Sequence, residues 1–249
     1  MIRLNMFVCL LFLYSCISYS DSGNNLEIPA TTLNDCVINY TGYSVCYDVN
    51  NKIPKWVAYE LLDTETDGPY TRKGKTFRRD ENQSVDQADD LDYKGGVWSK
   101  GHMAPAGDFK WSNDAMWDSF FYTNCVPQNT KLNNGSWNTL ENKVRSYAKK
   151  YGKVYVVTGP IIGHNVNGTI GENGITVPDS FFKALLICFD NNYNAAGFVM
   201  KNTDEKQQPL ESIITIDELE VLTGLDFFPL LDDDIENKAE SVVSIEYWY

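Results

Sequence analysis

The stretch "FFYTNCVPQNTKLNNGSWNTLE", residues 120–141, changes character halfway along. It opens as an apolar, strand-like run through Cys125 and Val126 and then fills with side-chain amides. It ends inside "SWNTLENKVRSYAKKYG" (136–152), whose apolar spacing predicts a long helix stopped at Gly152. Asn133 falls just ahead of that helix and Glu141 within it. Asn124, Gln128, Asn133, Asn134 and Glu141 therefore place uncharged oxygen donors beside one carboxylate, a set that suits a hard cation. Upstream lies "SKGHMAPAGD" (99–108), with one of only two histidines in 249 residues. A histidine after Lys-Gly says little alone, and its weight comes from the amide-rich segment downstream. Asp108 reads as a turn or cap residue, and His164, in the loop-like "GPIIGHNVNG", as a surface residue.

Further outward, "WVAYELL" (56–62) alternates as a strand should. "KVYVVTGPII" (153–162) reads as a buried strand ending at Gly159-Pro160. "SFFKALLICFD" (180–190) and "AAGFVMKN" (195–202) read as an antiparallel pair about an Asn191-Asn192 turn. "WSNDAMWDSF" predicts a short helix, and "TIDELEVLTG" one opened by the capping box Thr215-x-x-Glu218 and closed by Gly224. Strands and helices mix without regular alternation, which predicts an α+β domain with a central antiparallel sheet and flanking helices.

Several of these motifs, taken in order, carry a resemblance. Lys100-Gly101-His102, Asn124-x-x-Pro127-Gln128, Leu132-Asn133, Trp137-x-x-Leu140-Glu141 and Val154-Tyr155-Val156-Val157-Thr158-Gly159-Pro160 together resemble the DNA/RNA non-specific endonuclease family. These are the ββα-metal (His-Me finger) nucleases, a group that includes endonuclease G and secreted bacterial sugar-non-specific nucleases. The similarity runs from about Trp56 through the "TGLDFF" segment at 223–228, nearly the whole chain after its leader. It implies a Mg²⁺-dependent endonuclease, with Mn²⁺ able to substitute, acting on DNA and RNA. It implies His102 as general base, Asn133 as direct metal ligand and Glu141 holding metal-bound water. Asn124 would place the phosphate or the histidine, and Lys100 would stabilise the transition state.

Two departures from the family pattern stand out. Ser99-Lys100 replaces the usual Asp-Arg, which keeps the charge but loses the bidentate fork and removes a carboxylate that could brace the site. Glu60 stands where some secreted members carry an arginine; Arg78 or Arg79 in "TFRRDE" could supply that charge, or could belong to a solvated basic loop. The first departure leaves room for an alternative, a catalytically weakened nucleic-acid-binding module. A third reading keeps the enzyme and changes its phosphodiester substrate.

The formal charge is −13, but it is unevenly spread. Residues 69–153 hold fourteen Lys and Arg against ten Asp and Glu, whereas residues 204–249 hold thirteen acids and two bases. A locally basic face can attract phosphates within an acidic protein. The start, "MIRLNMFVCLLFLYSCISYS" (1–20), reads as a signal peptide followed by a single domain over 21–249, so the expected location is secreted or periplasmic. Cleavage after Ser18-Tyr19-Ser20 gives a soluble product, and a lipid-attachment box at Cys16 an anchored one. Cys36 and Cys46 flank "VINYTGYSV", a hairpin that would bring the sulfurs close enough for a disulfide; Cys125 and Cys188 are read as two buried thiols or as a bond. No CxxC, HxxxH, Gly-x-Ser-x-Gly or phosphate-loop motif occurs, which argues against a zinc site, a serine hydrolase and an NTPase.

Overall fold

Alternation within "IPKWVAYELL" (Ile53–Leu62) sends Val57, Tyr59 and Leu61 to one face of a sheet and Trp56 and Ala58 to the other. Both sets are apolar, so both faces must be covered. The computed structural model, which describes residues 25–164 and 167–249, shows how that is met. The predicted leader, with Cys16, lies outside the described residues.

The strands are β1 (Cys36–Asn39), β2 (Ser44–Asp48), β3 (Ile53–Leu62), β4 (Trp98–His102), β5 (Cys125–Asn129), β6 (Lys153–Ile161), β7 (Thr169–Ile170), β8 (Ile175–Thr176), β9 (Ser180–Phe189), β10 (Asn192–Lys201) and β11 (Ile213–Ile214). The helices are α1 (Asn113–Asp118), the single turn α2 (Thr130–Leu132), α3 (Asn138–Tyr151), α4 (Ile216–Thr223) and α5 (Asp233–Ser241). Seven strands pair antiparallel in the order β1-β2-β3-β6-β9-β10-β11, and β4-β5 and β7-β8 form separate two-stranded pieces. One face of the large sheet packs against β5 and α3 through residues such as Val126, Leu140 and Val144. The other face is covered by α4 and α5 through Ile216, Leu219 and Ala239. The α+β expectation holds, with a β4-β5-α3 unit set on one face of the sheet.

Several local predictions shift by a residue or two. The β9-β10 turn is centred on Asp190-Asn191, both with positive φ as a tight two-residue hairpin needs, and not on Asn191-Asn192. β6 runs on through Pro160, which pairs with Phe181. The capping box at Thr215 and the left-handed Gly224 bound α4 as predicted.

The Cys36–Cys46 disulfide is a correction. The β1-β2 hairpin exists, but its register pairs Cys36 with Tyr47 and Val37 with Cys46. Strand neighbours point to opposite faces, so the two sulfurs lie on opposite sides of the sheet. The Cys46 thiol instead reaches Asp35 at 3.7 Å. All four described cysteines are free; Cys125 is buried and Cys188 is exposed, contrary to the expectation that both lie in the core.

Candidate active site

A polar cavity of about 360 Å³ opens where β4, the segment after it and α3 meet, lined by Arg72, Lys100, His102, Asn133, Asn134, Asn138, Glu141 and Arg145 among others. β4 and β5 pair so that His102 lies opposite Cys125 at the closed end of the ladder. A side chain on Gly101 could not be accommodated, because a Cβ there would lie 2.4 Å from Gln128 Oε1. Gln128 is thus buried against the strand and is not one of the donors lining the cavity.

His102 is 9% exposed. Its ring packs 4.5 Å from Phe77 and edge-on to Phe120 at 5.0 Å, and its Nε2 has no hydrogen-bond partner. Burial, with a smaller contribution from the Arg72 charge, pulls the imidazole down to about 3 and keeps it neutral at neutral pH. Asn124 is buried and fully bonded. Its Oδ1 accepts from Ala104 N at 2.8 Å, and its Nδ2 donates to Ala104 O and Ser119 O. It therefore ties down the backbone two residues beyond His102 and has no donor left for a phosphate.

Helix α3 buries Leu140, Val144, Tyr147 and Ala148, an i, i+4, i+7, i+8 stripe that sets Glu141 and Arg145 one step around, toward the cavity. The helical path begins earlier than predicted, at α2, and passes through a π turn over Asn133–Trp137. In an unbroken α-helix eight residues would leave Glu141 about 80° around the axis from Asn133. The wider π turn advances less per residue and brings both onto the cavity side.

Ser99 contacts the candidate metal ligand. Asn133 Nδ2 donates to Ser99 Oγ at 3.0 Å, and Ser99 donates to Gln128 O at 2.9 Å. Asn133 Oδ1 has no partner among the described residues and is the atom left for a cation. With Glu141 and the amides of Asn134 and Asn138 nearby, the donor set is all oxygen, few in number and open to water, which fits a Mg²⁺-type ion. Glu141 keeps part of its surface in solvent, yet desolvation raises its carboxyl, opposed chiefly by Lys183. Lys183 is fully buried beneath the site, 4.7 Å above the Trp137 ring and 3.3 Å from Thr158 Oγ1; burial lowers its pKa.

Three cations face the cavity. Lys100 forms an ion pair with Asp90, which also accepts from Tyr122 Oη at 2.7 Å. Arg72 lies 5.9 Å from the Phe120 ring. Arg145 binds Asp108 Oδ1 at 2.5 Å and Asn142 Oδ1 at 2.9 Å, over Gly107, where a Cβ would come within 2.9 Å of the guanidinium. Asp108 lies in a single 3-10 turn (Ala106–Asp108), as expected, but its side chain is 1% exposed and also accepts from Tyr59 Oη at 2.8 Å, which makes it a buried brace between sheet and helix as well. Arg78 stacks on Trp117 and Phe121 outside the cavity, and Glu60 pairs with Lys153 at 2.6 Å. The extra positive charge comes from Arg72, in the same loop as the arginines expected to supply it, and from Arg145. Arg145 stands four residues after Glu141, a helical spacing that was available to find it. Nothing local marked Arg72.

A strand pair carrying a histidine, followed by a helix carrying an asparagine and a glutamate and docked on an antiparallel sheet, defines a ββα-metal nuclease fold. Residues 21–234 match the DNA/RNA non-specific endonuclease family, and the chain belongs to that family. It is 35% identical to the mitochondrial nuclease EXOG of Xenopus laevis over 78% of this chain and 59% of that one, so the match spans rather more than half of that relative. It is 32% identical to human mitochondrial endonuclease G over 75% of this chain and 67% of that one. It is 31% identical to a nuclease of Serratia marcescens over 78% and 77%. Among solved structures, endonuclease G in complex with its inhibitor EndoGI superposes with a TM-score of 0.75 at 26% identity, covering 84% of this chain and 90% of that one.

Proposed function

We propose that this protein is an exported, Mg²⁺-dependent endonuclease that hydrolyses phosphodiester bonds of DNA and RNA without sequence preference, with His102 as general base. The observation that carries the proposal is an unpartnered imidazole nitrogen in the wall of a cavity that also presents Asn133, Glu141 and three cations. His102 Nε2 is the atom that would take the proton of an attacking water. Phe77 and Phe120 fix its ring, and Asn124 fixes the backbone behind it. An arriving phosphate offsets the Arg72 charge and so raises the imidazole toward a useful basicity. Arg72, Lys100 and Arg145 bind phosphate oxygens, which carry no base identity, so sequence preference is weak and salt weakens binding steeply. Asn133, through Oδ1, and Glu141 are the residues that would hold a Mg²⁺ ion, which when bound would supply Lewis-acid stabilisation of the charge on the phosphate and leaving oxygen. Export rests on the apolar leader. Among the described residues no helix is long and apolar enough to cross a membrane.

The Lys100–Asp90 ion pair favours a second reading, a weakened nucleic-acid-binding module, because it takes up the charge that replaces the family's arginine. Purified protein incubated with supercoiled plasmid and with total RNA separates the two. Cleavage of both that is lost with EDTA and in His102→Ala supports the enzyme. Metal-independent retention of DNA without cleavage supports the binding module, and cleavage that persists in His102→Ala overturns the assignment of the base.

A further inference from the structure

On the sheet face opposite the cavity, α4 and α5 bring three carboxylates together. Asp217 and Glu220 sit three residues apart on α4 and face Glu240 on α5, with one oxygen from each within 4.8 Å of the others. Three oxygens within 4.8 Å of one another lie at most about 2.8 Å from a common centre, so small side-chain adjustments bring all three to the calcium–oxygen range of about 2.3–2.6 Å. Glu240 is 6% exposed, and its buried Oε1 has no hydrogen-bond partner. Glu220 is anchored by Phe227 N, which donates to its Oε1 at 2.8 Å. Among the described residues, no Lys or Arg forms an ion pair with any of the three. Asp226 and Glu236 add further negative charge. Burial, then Glu220, Glu236, Asp217 and Asp226, push Glu240 up to about 8.

A buried carboxylate that lacks a donor and faces other carboxylates is unfavourable unless it is neutralised. A proton neutralises one group, whereas a divalent cation neutralises the cluster and satisfies the orphan oxygen. We propose that Asp217, Glu220 and Glu240 form a structural calcium site that clamps α4 to α5, separate from the catalytic cavity. Calcium fits better than magnesium because it accepts irregular oxygen geometry with water completing the shell, whereas magnesium demands a near-ideal octahedron.

The test is titration calorimetry with CaCl₂ on EDTA-stripped, dialysed full-length protein, with melting temperature read in parallel. Wild type, Asn133→Ala, Asp217→Asn and Glu240→Gln are compared. Asp217 is exposed, so Asp217→Asn tests the site without a folding risk. The expected result is calcium binding and a raised melting temperature that survive Asn133→Ala, with affinity weakened at least about tenfold in Asp217→Asn and Glu240→Gln. Plasmid cleavage in Mg²⁺ by Asp217→Asn should match wild type. No binding up to about 10 mM calcium, or a response abolished by Asn133→Ala and untouched by Asp217→Asn, overturns the site and leaves a protonated carboxyl cluster.

Discussion

Asn133 donates through Nδ2 to the hydroxyl of Ser99 at 3.0 Å, and that hydroxyl donates in turn to the Gln128 carbonyl at 2.9 Å. The serine that replaces the family's aspartate therefore still braces the candidate metal ligand. It sets which end of the Asn133 amide faces the cavity, a role a neutral acceptor can fill.

Removing that brace should weaken metal binding more than substrate binding. Ser99→Ala is expected to raise the Mg²⁺ concentration for half-maximal cleavage by about tenfold, within the range seen when outer ligand partners are removed. Metal titrations of plasmid cleavage check this. An unchanged metal dependence would show that Asn133 holds its orientation without Ser99.

Asp108 joins sheet to helix by accepting from Tyr59 and Arg145 deep in the fold. Asp108→Ala leaves the buried Tyr59 phenol without its acceptor and takes from the part-buried Arg145 guanidinium one of its two acceptors, and is expected to destabilise the protein by about 3 kcal/mol. Tyr59→Phe, which removes one hydrogen bond only, should cost about 1 kcal/mol. Urea unfolding midpoints at constant slope measure both.

Acid stability should carry a signature of His102. The unfolded chain takes up a proton on this histidine below about pH 6.5, while the folded protein resists until about 3. The contribution is therefore full above pH 6.5 and falls as pH drops through that window, by at most about 1.4 kcal/mol per pH unit. His102→Phe, placed between Phe77 and Phe120, should lose less stability than wild type between about pH 6 and pH 4. Parallel curves for the two proteins, measured in EDTA, would show that the imidazole is not held neutral.

Gly101 is needed for the close approach of Gln128. Gly101→Ala should destabilise by about 2 kcal/mol through overpacking and displace His102 next to it. The double variant Gly101→Ala/Gln128→Gly, which removes both the Oε1 and the Cβ (2.7 Å away) that crowd the new methyl, should recover most of the stability lost in Gly101→Ala. If the double variant is as unstable as the two single effects added together, the clash does not lie at Gln128.

By itself the sequence determined the features that periodicity and spaced motifs encode. Alternation in β3, the apolar run of β9, the capping box at Thr215 and the helix stop at Gly152 are local patterns carried by local backbone preference, and the order of His102, Asn133 and Glu141 is a spaced motif carried by the family resemblance. Only the tertiary structure decided contacts between residues far apart in the chain. Register placed Cys36 and Cys46 on opposite faces, although their spacing suited a disulfide. A π turn rotated Asn133 onto the side of Glu141, and a loop about thirty residues before His102 delivered Arg72. Asp108, read as a turn residue, is also a buried brace because Tyr59 and Arg145 converge on it from a strand and a helix. Such pairings depend on how elements pack against one another, and no short stretch of sequence contains that information.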